Sequence, residues 1–505
     1  MQITPRDIWN ISPHLVVAAL GLIILLIDAI WPRISKRQLA NLALLGLIGA
    51  GALQARFWPR GQVTPVLGGM IVPDGYTAFF NLVLLVGAGI SLLLSTDYLE
   101  WDGSAHGEYH ALVLFTAFGG MVMAAAGHLI VVFLGLEILS ISLYILAGYQ
   151  RERRESQEAA LKYFLLGAFA SAFFLYGMAL VYGYAGSLDL HAIARAAGAG
   201  QGAAANQLLL TGIGLLLVGF GFKVAVVPFH IWTPDVYEGA PTSATAFMSV
   251  VAKAAGFAAF VRVFALAFPG ADLRHQVGAV VASIAMLTMV VGNTAAVLQT
   301  NIKRLLAYSS IAHAGYILVG VVAVLRNPAA PAEGVSAVLF YTLAYTFMNL
   351  GAFAVVLALR RRGEELLNIE EYAGLGFRYP WLGALMALFM LSLAGMPPTA
   401  GFFAKLYLIR AALSPLVGMW WLVITLALTS VVSFYYYIRV VTVMYMRPAV
   451  EGEQAPQASA GPHLGTGLAL AALGTILLGL IPAGILQAAQ QIAEGLVELG
   501  GMALR

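Results

Sequence analysis

Cysteine is absent from this sequence of 505 residues, and the common motifs that bind nucleotides or metals are absent as well. A chain without thiolates holds no cysteine-bound iron–sulfur cluster, no haem attached through CxxCH and no disulfide. The sequence contains no GxGxxG, P-loop or HExxH motif, each of which supplies a known binding geometry. It therefore predicts no cofactor and no metal on this chain itself.

Charged residues are also scarce. Lys, Arg, Asp and Glu make up 10% of the chain, hydrophobic residues make up 61%, and the mean hydropathy is +0.87. Soluble proteins contain about 25% charged residues, so this composition predicts a polytopic membrane protein. The formal net charge of +3 is small and the basic residues are scattered, which argues against nucleic-acid binding. The N-terminal residues lack the features of a signal peptide, so we expect the first apolar stretch to be retained.

Long hydrophobic runs recur along almost the whole chain. A membrane-spanning helix needs about 20 mostly apolar residues, and fourteen stretches meet this criterion. Their predicted bounds are 13–31, 38–57, 75–96, 110–126, 128–149, 159–184, 206–230, 243–267, 277–299, 302–325, 336–360, 381–411, 416–446 and 464–484. The runs are too long for the strands of an outer-membrane barrel and lack their alternation. We therefore predict an all-α polytopic membrane protein with about fourteen transmembrane helices.

Basic residues orient these predicted helices. They are more frequent on alternate loops, and the positive-inside rule places those loops in the cytoplasm. These loops carry Arg33, Lys36, Arg37, Arg151, Arg153, Arg154, Lys303, Arg304, Arg360, Arg361, Arg362, Arg378 and Arg447. The opposite loops hold fewer basic residues, namely Arg6, Arg56, Arg60, Arg195, Arg274 and Arg326. Both chain termini are therefore expected outside the cytoplasm.

Five ionisable residues lie well inside predicted spans. Each charged side chain costs roughly 2.5–3.5 kcal/mol at the bilayer centre and must face protein or water. The five are Glu137, Lys223, Lys253, His313 and Lys405. Burial of an amine without a carboxylate partner favours its neutral form. Three buried lysines with one glutamate therefore favour a role in proton exchange over a purely structural role.

Other ionisable residues lie nearer to predicted helix ends. For Asp28, Arg262 and Arg410 we expect the side chain to extend to the membrane interface. Lys162 is close to the start of its helix, and from its position alone interfacial extension and a functional role are equally compatible.

Proline and glycine predict breaks in the seventh and twelfth spans. Pro228 follows Lys223, and Pro397 and Pro398 precede Lys405. Such breaks free backbone groups that only protein or water can satisfy in a membrane, so they mark polar cavities.

The two broken spans also suggest an internal repeat. They are five spans apart, and an odd interval reverses direction, so spans 4–8 and 9–13 are predicted to be inverted repeats. This offset aligns Glu137 with His313, although the prolines fall on opposite sides of the two lysines and Lys253 has no charged counterpart. The predicted parts of the chain are 1–109 with three helices, 110–270 and 271–446 with the two repeats, and 447–505 with a cytoplasmic loop, the last helix and the tail. The loop 451–463 is expected to be a flexible link, and 487–499 is expected to lie along the membrane surface.

Four segments resemble a known family. They are "RESQEAALKYFLLGAFASAFFLYGMALVYG" (154–183), "GFKVAVVPFHIWTPDVYEGAPT" (221–242), "NIKRLLAYSSIAHAGY" (301–316) and "LAGMPPTAGFFAKLYL" (393–408). They are similar to subunit N of bacterial NADH-quinone oxidoreductase, respiratory complex I, and to its mitochondrial counterpart. The resemblance runs from about 70 to 445. "FHIWTPDVYEGAP", "SSIAHAGY" and Lys405 favour subunit N over the related subunits L and M, and the chain length argues against subunit L.

This resemblance implies a proton-translocating membrane subunit of an enzyme complex in the bacterial inner membrane. It implies a proton path through Glu137, Lys162, Lys223, Lys253, His313 and Lys405. In that scheme Glu137 pairs with a lysine, Lys223 is the central carrier, Lys253 and His313 connect across the middle, and Lys405 leads to an exit or a neighbour. The FMN, iron–sulfur clusters and quinone site of the complex are expected on other subunits. The implied partners are the antiporter-like subunit M, small membrane subunits and the lipid bilayer, without nucleic acid.

Two other functions fit the same residues. A subunit of a multisubunit cation/proton antiporter would use much the same lysine-bearing helices, and the subunits that co-purify with the chain would distinguish it. A non-pumping scaffold would use these helices for assembly only. In that case, Lys223→Ala would leave proton translocation by the complex unchanged while the complex still assembles.

Overall fold

The computed structural model of the chain describes residues 4–56, 58, 65–199, 202–268, 270–327, 330–361, 364–414, 417–448 and 456–502. Within these ranges, thirteen helices are long and apolar enough to cross a membrane. The protein is an all-α polytopic membrane protein, as predicted. Arg60, Arg362 and 451–455 of the predicted link lie outside the described residues.

The first part of the chain supplies three long helices. Its elements are α1 Pro5–Asn10, α2 Ser12–Ile30, α3 Lys36–Ala55 and α4 Gly75–Asp102. The Asp74 side chain caps α4 by accepting a hydrogen bond from the Thr77 backbone N–H, which satisfies one of the free donors of the first turn.

The next two parts follow one order of elements. The first contains α5 Gly107–Ala125, α6 Leu129–Ala147, α7 Arg154–Ala185, α8 Leu190–Ala199, α9 Ala203–Val224, α10 Trp232–Gly239 and α11 Thr242–Leu266. The second contains α12 Ala271–Val297, α13 Ile302–Arg326, α14 Pro331–Ala358, α15 Leu375–Arg378, α16 Pro380–Ala394, α17 Ala400–Ala412 and α18 Trp420–Met446. Each consists of three long helices, an interrupted helix and a further long helix, and the two groups are called the first and second repeat below. The predicted inverted relation between spans 4–8 and 9–13 stays a prediction. The chain ends with α19 Pro462–Leu480 and α20 Pro482–Met502.

Both interrupted helices break where proline and glycine predict. The first break follows α9, where Ala225 adopts a left-handed backbone with φ 60°. Its freed backbone is held by side chains, because the Val227 N–H donates to Thr288 Oγ1 at 3.0 Å and Trp232 Nε1 donates to the Phe222 carbonyl at 3.2 Å. The second break divides the predicted span 381–411 into α16 and α17 and begins at Gly395, with φ 89°.

The centre of the bundle is formed by α4, α11, α13 and α14, which are buried almost along their whole length. By contrast, only 33% of the most apolar stretch of α2, α3 and α7 is buried, and large apolar side chains such as Leu22, Ile48 and Phe169 are exposed on the outside of the bundle. Because apolar outer faces are what lipid contacts, these helices form a periphery and the central four form the interior.

Arg262 differs from the sequence expectation. Its side chain is 0% exposed and does not extend to an interface, so that prediction is wrong. The guanidinium donates to both carboxylate oxygens of Asp74, at 2.9 and 2.7 Å, and lies over the Tyr76 ring at 4.8 Å. This partner precedes Arg262 by 188 residues, and it replaces the interfacial water that the arginine would otherwise need. Of the other two residues with the same expectation, Asp28 forms an ion pair with Lys36, and Arg410 is exposed near the end of α17.

A small sheet covers one end of the bundle. Its strands are β1 Leu359–Arg361, β2 Glu364–Glu365 and β3 Gln457–Ala458, with β1 in the middle and both pairings antiparallel. The described part of the predicted flexible link is therefore partly a strand. Arg360 stacks on the Trp101 ring at 3.5 Å, and its burial lowers the pKa of this guanidinium from its usual value.

The C-terminal helix α20 covers the opposite end. It packs against α14, α4 and α11 through the buried residues Ala489, Ile492, Ala493 and Leu496. One face of α20 is thus apolar and buried on the bundle, while its position along a membrane surface stays a prediction.

The buried ion pair provides a test of stability. Arg262→Ala leaves the Asp74 carboxylate buried without its partner, which we expect to lower stability by about 3–5 kcal/mol. Replacing both residues, as Asp74→Asn with Arg262→Met, should cost less, because no charge then stays buried. The thermal denaturation midpoint of the detergent-solubilised protein measures the effect, with Arg410→Ala as the exposed control. Equal midpoints for Arg262→Ala and Arg410→Ala would contradict a stabilising role for the pair.

Candidate functional site

The six predicted site residues come from six helices and fall into two groups. Glu137 lies on α6, Lys162 on α7, Lys223 at the end of α9, Lys253 on α11, His313 on α13 and Lys405 on α17. The side chains of Lys223, Lys253, His313 and Lys405 are all buried in the interior. Glu137 and Lys162 lie nearer to the outside.

Lys223 occupies the last turn of α9, directly before the first break. Its Nζ donates to Ser140 Oγ on α6 at 2.9 Å and lies 5.7 Å from the centre of the Tyr163 ring. Among the described residues, no carboxylate oxygen forms an ion pair with it within 4.0 Å. One hydroxyl is a poor replacement for the hydration of an ammonium, so this surrounding favours the neutral amine.

Glu137 is separated from Lys223 by serine hydroxyls. Its Oε1 accepts a hydrogen bond from Ser171 Oγ on α7 at 2.5 Å, and Ser140 follows it by three residues on the same side of α6. A cleft between α6, α7 and α9 is lined by Ser140, Ser171 and Lys223 and has a free volume of ≈ 10 Å³, about the minimum for one water molecule. The resemblance implied a direct pair between Glu137 and a lysine, but in the described residues its partner is Ser171.

Lys162 is held at the edge of the bundle. Its side chain is 41% exposed, and its Nζ lies 2.7 Å from both Glu158 and Asp235. Asp235 belongs to α10, the second half of the first interrupted helix, and its other oxygen lies 3.0 Å from Arg304 on α13. Lys162 therefore connects with the second repeat rather than with Glu137.

Lys253 and His313 meet around a pair of adjacent serines on α13. Lys253 Nζ donates to Ser310 Oγ at 2.6 Å and to the carbonyl of the same residue. The His313 ring is held between two tyrosines, with Nδ1 2.6 Å from Tyr341 OH and Nε2 3.1 Å from Tyr437 OH. Tyr437 OH also hydrogen-bonds to Ser309 Oγ, the residue next to Ser310. Hydroxyl groups on two consecutive residues of α13 thus contact the amine on one side and the tyrosine partner of the imidazole on the other.

Lys405 uses a backbone group that the second break leaves free. Its Nζ donates to the Ala394 carbonyl at the end of α16 at 2.8 Å, and it lies over the Tyr316 ring at 4.8 Å. The Tyr316 hydroxyl accepts from Asn293 Nδ2 at 3.0 Å, and Tyr436 OH donates to Asn293 Oδ1 at 3.0 Å. This lysine therefore lies next to a further set of polar groups between α12, α13 and α18.

Several residues of the site were missed by sequence reasoning. They are the hydroxyl partners Ser140, Ser171, Ser309, Ser310, Tyr341 and Tyr437, and the charged neighbours Asp235, Glu238 and Arg304. One signal was available, because Ser309 and Ser310 precede His313 by one helical turn. The tyrosines come from distant helices and have no such local signal.

The arrangement can transfer protons but provides no recognised metal centre. Hydroxyls both donate and accept, and an imidazole accepts a proton on one nitrogen while it donates from the other. Within the described ranges, no group of three or more metal-ligating side chains is positioned to hold a metal ion.

Known proteins share both this sequence and this fold. A family described as "NADH:quinone oxidoreductase/Mrp antiporter, TM" matches residues 126–433. NADH-quinone oxidoreductase subunit N of Trichlorobacter lovleyi is 46% identical over 486 residues, which cover 96% of each chain. The protein of the same name from Chloroflexus aggregans is 44% identical over 503 residues, which cover 99% of each chain.

Solved structures agree with these relatives. A chain of respiratory complex I from Thermus thermophilus matches with a TM-score of 0.78 at 36% identity, covering 94% of this chain and 98% of that one. A chain of the Mrp complex from Dietzia sp. has a TM-score of 0.80 at 21% identity, covering 98% and 99%, and shows the shared fold alone. The identity over nearly the full length is therefore the decisive finding, and the chain belongs to the subunit N family of NADH-quinone oxidoreductases.

Proposed function

We propose that this chain is a proton-translocating membrane subunit of a respiratory NADH-quinone oxidoreductase. The observation that carries the proposal is the set of three lysines and one histidine buried in the interior of the bundle, each hydrogen-bonded to a hydroxyl group or to a backbone carbonyl. The proton path runs through Glu137, Lys162, Lys223, Lys253, His313 and Lys405. Electron transfer through FMN and iron–sulfur clusters to quinone occurs on other subunits of the complex.

The first half of the path is built around Lys223. A carboxylate that approaches or leaves a buried amine changes its protonation free energy by about 1.4–4 kcal/mol. A membrane potential of roughly 150–200 mV opposes each proton by roughly 3.5–4.6 kcal/mol. The two quantities are comparable, so movement of Glu137 relative to Lys223 suffices to load or release one proton. Nothing in this chain supplies the energy for that movement, which comes from quinone reduction elsewhere.

The serine-lined cleft defines what must change between loading and release. With Glu137 bonded to Ser171 and Lys223 bonded to Ser140, the lysine lacks a carboxylate and its neutral form is favoured. A loaded state requires Glu137 to turn from Ser171 towards Ser140 and Lys223. Ser140, Ser171 and Lys223 line the same narrow cleft, so we infer that the turn is a side-chain rotation assisted by one bridging water.

The second half of the path transfers a proton without a local carboxylate. His313 accepts a proton at one nitrogen and releases one from the other, towards the hydroxyls of Tyr341 and Tyr437. Ser309, which hydrogen-bonds to Tyr437, is adjacent in sequence to Ser310, which accepts a hydrogen bond from Lys253. Lys405 lies on the far side, beside the second helix break, where it faces Tyr316.

The proposed setting is the bacterial inner membrane, with both termini outside the cytoplasm. The distribution of basic residues supports this orientation, and the repeated order of elements supports division into 1–109, 110–270, 271–446 and 447–505. The odd interval between the two broken helices supports inverted repeats. Partners in the complex are the antiporter-like subunit M and small membrane subunits.

A cation/proton antiporter subunit is the second candidate. The matching family model names both kinds of protein, and the Mrp fold supports it. Purification of the tagged chain from its native membrane distinguishes the two, because co-purification with quinone-reducing subunits supports the first and co-purification with antiporter subunits alone supports the second.

Lys223 tests the proposed function directly. We expect Lys223→Ala in the assembled complex to lower quinone reduction and proton pumping together by about tenfold or more, since the coupled step stalls. Lys223→Arg should also be poor, because a guanidinium does not release its proton near neutral pH. Reconstituted vesicles report both rates, with Arg410→Ala as control. Full pumping by Lys223→Arg at the normal rate would rule out the carrier role.

Glu137 tests whether a carboxylate controls the lysine. Glu137→Gln nearly keeps the shape but removes the charge, so we expect a large loss of pumping with assembly intact. Glu137→Asp should retain part of the activity, since the charge remains one methylene shorter. If Glu137 had only a structural role, Glu137→Gln would leave pumping unchanged, because a neutral isostere of a buried charge is harmless or stabilising. Pumping and quinone reduction at normal rates in the Gln variant would end the switching proposal.

Ser140 tests the route between Glu137 and Lys223. Ser140→Ala removes the hydroxyl to which Lys223 donates, and we expect pumping to slow by about threefold to tenfold, in line with the loss of one net hydrogen bond of about 0.5–1.5 kcal/mol. Ser142→Ala is the matched control, because that buried hydroxyl donates to the Ile138 carbonyl of its own helix. Equal pumping rates in the two variants would exclude Ser140 from the route.

A further inference from the structure

The short helix α10 lies between the two repeats. It follows the first break, and it packs against α7 of the first repeat and α13 of the second. Asp235 and Glu238 are three residues apart on α10, so they lie on one side of this helix. The same helix therefore presents two carboxylates towards basic residues from both repeats.

Asp235 divides its two carboxylate oxygens between the repeats. Oδ2 accepts from Lys162 Nζ on α7 at 2.7 Å, and Oδ1 accepts from Arg304 Nη1 on α13 at 3.0 Å. Glu238 strengthens the second contact, because its Oε2 accepts from the same Arg304 nitrogen at 2.6 Å. One side chain thus joins a residue of the proton path to the helix that carries Ser310 and His313.

These contacts are positioned to change. Side-chain exposure is 41% for Lys162, 40% for Asp235 and 28% for Arg304, and exposed ion pairs contribute only about 0–1 kcal/mol each. Together with Glu158 and Glu238, which also pair with the two cations, these groups carry two positive and three negative charges, so both cations are compensated. The contacts can therefore rearrange at low cost, unlike the fully buried pair of Arg262 and Asp74.

The geometry of α7 also separates Lys162 from Glu137. Ser171, which holds Glu137, lies nine residues further along α7, or about 13 Å along the helix axis. A lysine side chain on a helix also leans towards the N-terminus, away from that position. Asp235 is thus the carboxylate of a second helix that Lys162 pairs with.

We propose that Asp235 is a positioning residue of the proton path, which holds Lys162 against α10 and ties α10 to α13 through Arg304. This inference rests on the proposed function. Because α10 follows the break after Lys223, this connection through Asp235 links the two halves of the path.

The test compares Asp235→Asn with Glu158→Gln in the assembled complex in vesicles. Glu158 lies on α7 itself and pairs with the same lysine at the same 2.7 Å distance, but its ion pair joins no second helix. We expect Asp235→Asn to lower quinone reduction and pumping at least fivefold with assembly unchanged, and Asp235→Glu to restore more than half. Glu158→Gln should stay within twofold of the unmodified complex.

Arg304→Gln provides a second route to the same question. This substitution removes the contact of Asp235 with α13 but leaves the ion pair of Lys162 and Asp235. We expect it to lower quinone reduction and pumping about as much as Asp235→Asn does. The double variant, with Asp235→Asn and Arg304→Gln, should be no slower than the slower single variant, because both substitutions break the same connection. If Asp235→Asn does not assemble, Arg304→Gln and Asp235→Glu decide the question.

Two results would overturn the inference. One is an assembled Asp235→Asn or Arg304→Gln complex with rates within twofold of Glu158→Gln, and the other is a double variant in which the two losses multiply. Lys223→Ala, measured in parallel, separates this outcome from failure of the proposed function. A slow Lys223→Ala complex with a normal Asp235→Asn complex rejects only the role of Asp235, whereas a normal Lys223→Ala complex rejects proton translocation by this chain.

Discussion

The structure depends on the burial of amines for which the interior supplies little charge. Lys223, Lys253 and Lys405 are enclosed by the bundle, and within the described residues none of them forms an ion pair. Their partners are instead a serine hydroxyl, a serine with its carbonyl, and the carbonyl at a helix end. Such partners stabilise a charged amine less than water does. The interior therefore weakens the hold of each lysine on its proton, which is the property that a proton path requires.

The interruptions of two helices follow from the same constraint. A continuous α-helix uses all of its backbone groups internally and leaves none for a buried side chain. Each break exposes carbonyls next to a lysine, and the Ala394 carbonyl binds Lys405 directly. At the first break, Thr288 from the second repeat holds the Val227 N–H of the first. The path and the contact between repeats are thus built from the same local departures from helical structure.

Composition and sequence pattern were sufficient for the membrane class, the interior position of four of the six site residues and both helix breaks. These follow from the cost of charge in lipid and from the backbone limits of proline and glycine, which act locally. The hydrogen-bond and ion-pair partners of the buried residues could not be predicted in this way. Arg262 is buried because Asp74 is placed opposite it by the packing of α4 on α11, and Glu137 turns to Ser171 because α7 lies beside α6. Tyr341 and Tyr437 reach His313 from two other helices. Such pairings are set by tertiary packing between distant segments, which a single sequence does not encode in its spacing.

The position of α20 has a consequence for how the two repeats are joined. This helix packs across one end of the bundle on α11 of the first repeat and α14 of the second, close to the fully buried ion pair at the start of α4. At the other end, the repeats meet through the half-exposed side chains of α7, α10 and α13. Beneath α20 the contact between the repeats is therefore apolar and depends on packing, whereas at the opposite end it depends on charge and is weakened by dissolved salt.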